Sequence, residues 1–487
     1  MGVNMEKPIT IPPSRAEDLS IEELREMPVD VAPIREAYRG IHNSLASINE
    51  GKRNADWIAV IGPYGSGKTF LLRRIAHETV ENYNRIIPIY FYLGSEGEIL
   101  LFRTLGERFL NDLDNYVNRG VSSPRIQGSR EKWRERLEVL REVYRDIEAS
   151  RTKDVNDVEL FFKAMRELNY RGYYPLIIFD EFERLVYTGE GLIGSPENIR
   201  NFVTLSDHFL ELTRGILFSG VGLLSLTDTL PNLVYKAKAV STRGEISKIA
   251  HHVRSVEEYT NYKYEELKIA SPNIVFGAKY YLDWNTENLI SLCSALNIHV
   301  PRELIEAISI IFPTPRSIIS IARRSHEKGL KIESKKDVYQ IIKPRIDKLM
   351  NTLMNERIDD KPLIHPNSKW DERFDALMRE GFFIINRKDI HEVGKIFWSD
   401  ADERTIRIRT RALLNALEEC GLYIKLGKGR YVLKKEILAY LLEFDRLPTG
   451  EVSSEDEIVR SIKESVIKRR EDLKKRRKIR ETRTSGA

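Results

Sequence analysis

One octapeptide in the first part of the sequence has the residue types needed to hold a polyphosphate. Residues Gly62 to Thr69 read Gly-Pro-Tyr-Gly-Ser-Gly-Lys-Thr and fit the pattern G-x-x-x-x-G-K-T. The glycines let the backbone curl so that successive N–H groups face a phosphate, and Lys68 can reach the β- and γ-phosphates. The Thr69 hydroxyl is a ligand for Mg²⁺. The sequence therefore predicts a site for Mg²⁺ and a nucleoside triphosphate, taken as ATP.

This loop needs a strand before it and a helix after it. Residues 57–61 are a short apolar run that predicts a buried strand, and residues 70–76 have helical spacing. At the start of a helix the N–H groups and the helix dipole both favour an anion. The residues predicted to contact the nucleotide are Gly62, Pro63, Tyr64, Gly65, Ser66, Gly67, Lys68, Thr69 and Phe70.

Two adjacent carboxylates follow a second apolar run. Residues 176–179 are continuously apolar, which is typical of a strand covered by helices on both faces, and Asp180 and Glu181 come directly after them. Asp180 is predicted to hold Mg²⁺ through water, and Glu181 to polarise the attacking water as a general base. The pair indicates hydrolysis of the nucleotide, so we expect an ATPase.

The elements around these residues predict an α/β P-loop NTPase with a five-stranded parallel sheet. A long, highly charged segment, about 100–170, has a helical pattern and is predicted to be a helical insertion. The predicted strands are 57–61, 85–93, 176–179, 215–220 and a run near 274–276.

The loop at Gly62 and the Asp180-Glu181 pair resemble the Walker A and Walker B elements of the AAA+ and related P-loop ATPases. The resemblance implies a polar "sensor 1" residue at the end of the next strand, and Ser219 occupies that place. It also implies a "sensor 2" arginine in the lid that follows the core. Arg316, in Phe-Pro-Thr-Pro-Arg, is the candidate. For an arginine finger, Arg243 and Arg254 both remain open.

Near the C-terminus, a basic helix precedes a predicted hairpin. Residues 402–419 have an apolar face with spacings of three and four, and residues 422–433 read as two strands joined by Gly-Lys-Gly. This order resembles a winged helix-turn-helix, in which the helix enters the major groove and the wing touches phosphates. The resulting candidates for DNA contact are Arg404, Arg407, Arg411, Asn415, Lys428 and Arg430.

The chain of 487 residues is too long for one ordinary domain. We expect an N-terminal extension (1–30), an AAA+-like core (31–265), a helical lid (266–355), a winged helix (362–447) and a basic tail, helical or disordered (448–487). Residues 461–487 hold eleven Lys or Arg and four acids, a net charge of +7, whereas the whole chain is only +5. Such a block is often an interaction tail for nucleic acid or an anionic surface.

Composition excludes several other classes of protein. The chain is 41% hydrophobic and 31% charged, which is unlike a disordered or fibrous chain. Its two cysteines, Cys293 and Cys420, cannot form a disulfide framework or a zinc cluster. No apolar run is long enough to span a membrane and no signal stretch is present, so we expect a cytoplasmic protein. The two glutamines among many ion-pairing residues favour a thermophilic, archaeal source as a hypothesis.

The order of core, lid and winged helix resembles that of archaeal and eukaryotic origin-recognition initiators. It implies an ATP-dependent switch that binds double-stranded DNA, initiator-like or transposition-regulator-like, and self-association through the ATP sites is a possibility that this resemblance leaves open. The alternative is a signalling or scaffolding ATPase whose winged helix is a protein–protein module. A third reading, in which the basic tail binds an anionic membrane surface, lacks the large aromatic residues expected of it.

Overall fold

The computed structural model describes the chain in segments that fall into two compact units, one ending at Trp284 and the other beginning at Asn285. The described residues are 19–52, 55–92, 130–149, 157–181, 187–188, 191–192, 220–226, 278–327, 329–358, 361–363, 369–426, 429–442, 454–456, 458–464 and 466–467. The expected boundary between core and lid, at residue 265, lies earlier than the one observed, because a strand of the sheet follows it.

The N-terminal unit is built on a five-stranded parallel sheet, as predicted. Its strands are β1 (Ala55–Ile61), β2 (Ile86–Tyr92), β3 (Tyr174–Asp180), β6 (Gly220–Leu226) and β7 (Ala278–Tyr281), in the spatial order β2-β3-β6-β1-β7. The first strand of the chain is therefore flanked by β6 and β7. β4 (Tyr187–Thr188) and β5 (Gly191–Leu192) form a separate small hairpin.

Two of the five predicted strands lie largely outside the described residues, and a described strand follows each of them. The sequence placed one at 215–220, whereas the described strand begins at Gly220, and residues 215–219 lie outside the described part of the chain. A Cβ on Gly220 would lie 2.5 Å from the Pro175 carbonyl oxygen, so the glycine lets β6 approach β3. Residues 274–276, where the other strand was expected, lie outside the described residues, and the described strand that follows them is Ala278–Tyr281.

Five described helices belong to this unit: α1 (Ile21–Glu26), α2 (Ile34–Asn49), α3 (Lys68–Asn82), α4 (Arg130–Ala149) and α5 (Asp157–Tyr170). The last two lie in the second half of the segment predicted to be a helical insertion, whereas residues 93–129 lie outside the described chain. Arg136 of α4 is buried and donates hydrogen bonds to the carbonyl oxygens of Val80 and Tyr83. These bonds satisfy carbonyl groups at the C-terminal end of α3.

A partly buried polar cluster joins α2 to α3. The Glu78 carboxylate accepts hydrogen bonds from Tyr38 Oη (2.6 Å) and Arg74 Nε (2.5 Å), and His42 Nε2 lies 3.0 Å from its Oε2. Burial alone would raise the pKa of Glu78, but the His42 and Tyr38 hydrogen bonds and the Arg74 charge outweigh it and lower the pKa to about 2. The ionised form of Glu78 is therefore the one that the cluster stabilises.

The second unit begins with four helices: α6 (Thr286–Ala295), α7 (Arg302–Ile311), α8 (Pro315–Glu327) and α9 (Val338–Asn355). Asn285 caps α6, because its side chain accepts a hydrogen bond from the Asn288 N–H at 2.9 Å. The chain then forms a short hairpin, β8 (Arg357–Ile358) and β9 (Lys361–Pro362). The four helices lie in the region expected to be helical, 266–355, and α8 starts one residue before Arg316.

The remainder of this unit runs helix, strand, helix, helix, hairpin. Its elements are α10 (Trp370–Arg379), β10 (Ile384–Ile385), α11 (Ile390–Phe397), α12 (Glu403–Glu419), β11 (Tyr423–Lys425), β12 (Tyr431–Leu433) and α13 (Lys435–Leu441). The three strands form an antiparallel sheet in the order β10-β12-β11. α11 approaches α12 at Gly394, where a Cβ would lie 2.3 Å from side-chain atoms of Ile406 and Thr410. The helix and hairpin expected at 402–433 are present.

Part of the predicted tail packs against this unit. Glu455 accepts hydrogen bonds from Tyr440 and Thr352 and pairs with Lys348, and Lys463 pairs with Glu356. Residues 468–487, which hold most of the basic side chains of the tail, lie outside the described chain. None of the helices in the described part combines the length and the apolar character needed to cross a bilayer.

Glu78→Gln should weaken the N-terminal unit in a pH-dependent way. Because the folded-state pKa is lowered from 4.5 to about 2, the ionised group stabilises the fold above about pH 4.5, and this contribution is lost as the pH falls towards 2. We expect a loss of about 2 kcal/mol in the free energy of unfolding at pH 7 that shrinks below pH 4.5. Denaturant titrations between pH 7 and pH 3 test this. Exposed Glu36 of α2 is the control, and an equal, pH-independent effect of Glu36→Gln would contradict the expectation.

Candidate functional site

The loop between β1 and α3 has the backbone that its glycines predict. Gly65 and Gly67 have φ of +82° and +98°, in the left-handed region that favours glycine. A Cβ on Gly62 would lie 2.7 Å from Ser66 Oγ. Gly67 is the N-cap of α3 and gives no side-chain cap, and the first turn of α3 has no acidic residue. This helix start therefore leaves its N–H groups and its dipole to an external anion.

Two buried side chains hold the loop in place. Lys68 is 7% exposed, and its Nζ donates to the carbonyl oxygens of Gly62 at 2.7 Å and Pro63 at 3.2 Å. The Trp284 indole N–H donates to the Ser66 carbonyl oxygen at 2.9 Å. The Lys68 ammonium thus lies within the loop, and the ammonium group can exchange its carbonyl partners for phosphate oxygens.

Asp180 is the centre of a buried network at the end of β3. Its Oδ1 accepts hydrogen bonds from Thr69 Oγ1 (3.2 Å), Ser225 Oγ (2.8 Å) and the Glu181 N–H (3.0 Å). Its Oδ2 accepts from Tyr90 Oη at 2.6 Å. Burial raises the pKa of Asp180 and is only partly opposed by the hydroxyl donors. The loop threonine and the strand-end aspartate, 111 residues apart in sequence, are therefore in contact.

Glu181 has an unusual backbone. It is 8% exposed and has φ of +57°, which is uncommon for a residue with a Cβ and costs of the order of 1 kcal/mol. Its N–H also donates to Ser225 Oγ at 2.7 Å, which holds this conformation. Strain of this kind persists where the surrounding structure fixes it, and it accumulates at functional sites.

The residues present fit a magnesium nucleotide. Hydroxyl and carboxylate oxygens are the ligands that Mg²⁺ prefers, and those of Thr69 and Asp180 already lie in contact. Ser66 Oγ is buried and has no hydrogen-bond partner among the described residues, so the loop retains a polar atom for an incoming group. Thr69 and Asp180 would hold the metal, and the loop would hold the phosphates.

The comparisons with known proteins agree with this geometry. Residues 52–224 match the family model described as an AAA domain. The strand order, which is 2-3-4-1-5 when counted within the sheet, is that of an AAA+ P-loop NTPase. Residues 52–224 are an AAA domain.

Solved structures similar to the chain include Cdc6p from Pyrobaculum aerophilum (12% identity, 86% of this chain and 96% of that chain, TM-score 0.39). Others are Aeropyrum pernix ORC1 in complex with DNA (15%, 85% and 94%, TM-score 0.33) and Thermotoga maritima RuvB T158V (14%, 87% and 99%, TM-score 0.30). The comparison with curated proteins gives no match. At these TM-scores the assignment of the AAA domain depends on the family match and the sheet.

Ser225 was not among the residues predicted from the sequence. It lies near the end of β6, which is the fourth strand of the five-stranded sheet in chain order. The register of β6 with β3 pairs Leu224 with Phe179, so Ser225 comes next to Asp180. Ser219, the residue predicted for this role, lies outside the described residues, as do Arg243 and Arg254. The sequence signal for Ser225 is a serine five residues after Gly220, in a second apolar run. This run fits a strand as well as the run at 215–220, from which Ser219 was chosen.

Arg316 lies in the first turn of α8, in the unit that follows the AAA domain. Its predicted role as the lid's sensor arginine stays a prediction, because it concerns a nucleotide held by the other unit.

The predicted DNA contacts on α12 share one exposed face. Ile406, Thr410, Leu413, Leu414 and Leu417 are buried on the opposite face. The exposed members of the predicted set are Arg404, Arg407, Arg411 and Asn415, and Arg409 of the same helix is also exposed. The sequence thus separated the two faces of the helix correctly.

The hairpin modifies two of these predictions. Asn415 Oδ1 accepts a hydrogen bond from Tyr431 Oη at 2.8 Å, so Asn415 already joins the helix to β12. Arg430 is half-buried, and its Nε has no partner in the described part of the chain. Lys428 lies outside the described residues. Both elements also expose large apolar side chains, namely Ile408, Ile424 and Leu426.

Ser225→Ala should loosen the backbone at Glu181. The variant removes one of the two acceptors of the Glu181 N–H and one donor to Asp180. A bond to a buried charged group contributes about 1.5–3 kcal/mol, so we expect amide exchange in peptides containing Glu181 to accelerate about tenfold or more. Hydrogen–deuterium exchange with mass spectrometry measures this. The control is Ser291→Ala, which removes an exposed intrahelical bond. Unchanged exchange at Glu181 would contradict the role of Ser225.

Proposed function

We propose that the protein binds and hydrolyses Mg·ATP in its AAA domain and binds double-stranded DNA through its C-terminal helix and hairpin. The observation that carries the ATPase part is the contact of Thr69, Asp180, Glu181 and Ser225 beside the glycine loop. A chance glycine-rich turn does not require a buried aspartate on its threonine or a strained glutamate next to it.

Each side chain of the site has a distinct task in this proposal. The N–H groups at the start of α3 and the Lys68 ammonium bind the phosphate oxygens. Thr69 and Asp180 hold the magnesium ion. When bound, this ion stabilises the negative charge that develops on the transferred phosphoryl group.

Glu181 is the proposed general base for the attacking water. A general base must be held within hydrogen-bond reach of its water, and the backbone of Glu181 is fixed by Ser225 and Asp180. Ser225 is the described residue best placed for the sensor 1 role, and Ser219 stays a candidate from the sequence. Ser225 therefore connects the general base to the metal-binding carboxylate.

Glu181→Gln should separate binding from turnover. The amide keeps the size of the side chain but cannot accept a proton, so we expect ATP hydrolysis to fall by at least about a hundredfold. ATP binding, measured by calorimetry, should stay within about threefold of the wild type. The measurement is steady-state phosphate release at saturating ATP and Mg²⁺.

Glu36→Gln is the matched control for this variant, because Glu36 is an exposed glutamate in the same unit. A Glu181→Gln protein with wild-type turnover would refute the assignment of the base. Loss of ATP binding in the same variant would show that Glu181 supports the loop rather than the chemistry.

The DNA-binding part depends on the second unit. The order helix, strand, helix, helix, hairpin with an antiparallel three-stranded sheet is what a winged helix requires, and we propose that α10 to β12 form one. In this fold the helix corresponding to α12 enters the major groove. Four exposed arginines on α12 supply the positive charge that phosphates require.

One observation favours the alternative, in which this module docks another protein. Ile408 is 60% exposed in the middle of the arginine face, and Ile424 and Leu426 of the hairpin region are 43% and 45% exposed. Apolar side chains in such positions can contact thymine methyl groups, but they are equally suited to a protein partner. A signalling or scaffolding ATPase is therefore the second candidate function.

A triple variant, Arg404→Ala with Arg407→Ala and Arg411→Ala, separates the two candidates. If DNA lies on this face, affinity for a double-stranded fragment should fall, and the slope of log K against log salt should decrease by about 2 to 3. Fluorescence anisotropy between 50 and 300 mM salt measures both. Arg379→Ala, an exposed arginine on α10, is the control. If the wild type binds no DNA at low salt with ATP present, the protein-docking function stands instead.

A further inference from the structure

Tyr90 is a buried tyrosine in β2 whose hydroxyl is directed at the proposed metal-binding carboxylate. It is 4% exposed, and its Oη donates to Asp180 Oδ2 at 2.6 Å. The residue belongs to none of the motifs in the sequence. It stands in the middle of an apolar strand that the sequence analysis assigned only to the sheet.

The register of the sheet explains how Tyr90 reaches Asp180. β2 and β3 are parallel neighbours in which Tyr90 pairs with Ile178 and Tyr92 pairs with Asp180. Side chains two residues apart on a strand point to the same face, so Tyr90 lies diagonally across from Asp180 on that face. A tyrosine is long enough to span this diagonal. The contact therefore follows from the pairing of two strands.

The donors around Asp180 divide between its two oxygens. Oδ1 receives Thr69, Ser225 and the Glu181 N–H, whereas Oδ2 receives Tyr90. A partial rotation of the carboxylate about its Cβ–Cγ bond would break the bond to Tyr90. The tyrosine hydroxyl thus holds the plane of the carboxylate so that its other oxygen stays directed at the loop threonine.

We propose that Tyr90 is a positioning residue that holds the Asp180 carboxylate in the orientation required to bind the magnesium ion of Mg·ATP. The inference rests on the proposed function and deepens it. Tyr90 acts through Asp180 and touches neither nucleotide nor metal in this scheme. Its loss should weaken the metal-dependent part of nucleotide affinity and leave the metal-independent part unchanged.

Tyr38 provides a matched control, because it makes the same kind of bond elsewhere in the unit. Its Oη donates to a carboxylate oxygen of Glu78, also at 2.6 Å. Glu78 is ten residues beyond Lys68 on α3, about 15 Å along the helix. Tyr38→Phe removes a tyrosine–carboxylate bond without touching Asp180.

The experiment compares the wild type, Tyr90→Phe and Tyr38→Phe as full-length proteins. Isothermal titration calorimetry with a non-hydrolysable ATP analogue gives the dissociation constant in MgCl₂ and in EDTA, and the ratio of the two is the gain from Mg²⁺. We expect Tyr90→Phe to reduce this gain about tenfold, while its constant in EDTA stays within about twofold of the wild type. Tyr38→Phe should keep the wild-type gain.

The possible results are distinguishable. Equal Mg²⁺ gains in the wild type and Tyr90→Phe would overturn the role of Tyr90, and so would a reduced gain in Tyr38→Phe of the same size. Equal losses by Tyr90→Phe in MgCl₂ and in EDTA would also overturn it, because they would show a packing effect. A wild type that binds no analogue in MgCl₂ would overturn the proposed function itself. Thermal unfolding of each variant verifies that the ring-preserving substitutions leave the protein folded.

Discussion

The structure of the AAA domain depends on a single buried carboxylate and on how it is satisfied. Asp180 has no exposed surface, and an unpaired charge in such a place would be strongly destabilising. Four donors from four places in the chain, the loop helix α3, strand β2, strand β6 and the next peptide group, converge on it. Any element that shifted would leave the charge partly unsatisfied, so the carboxylate fixes the relative positions of the elements that form the site.

The sequence predicted those parts of the site whose chemistry is local. The glycine motif that starts at Gly62 predicts a tight loop before a helix, and the apolar run before Asp180 predicts a buried strand. Both elements are present. Ser225 and Tyr90 were missed because their importance lies in pairing across the sheet, up to 90 residues away. Ser225 belongs to the described strand that begins at Gly220, where the glycine allows β6 to approach Pro175 of β3 closely. Such a contact between distant residues has no counterpart in the sequence pattern.

The second unit shows the opposite balance. α12 and the hairpin after it agree closely with the predicted ranges, because amphipathic spacing and turn residues determine them locally. What the pattern did not give is the use of individual side chains, such as Asn415, which is engaged by Tyr431. The arginines of α12 lie near exposed Ile408. The sequence therefore predicts the shape of this helix more directly than it predicts which partner binds there.

The indole of Trp284 connects the glycine loop to the end of its own unit. Trp284 is the last residue of the unit that holds the AAA domain, and its side chain is bonded to the carbonyl of Ser66 in the glycine loop. The next residue, Asn285, caps the first helix of the following unit. A single residue therefore links the glycine loop, through its side chain, to the first residue of the following unit, through its peptide bond.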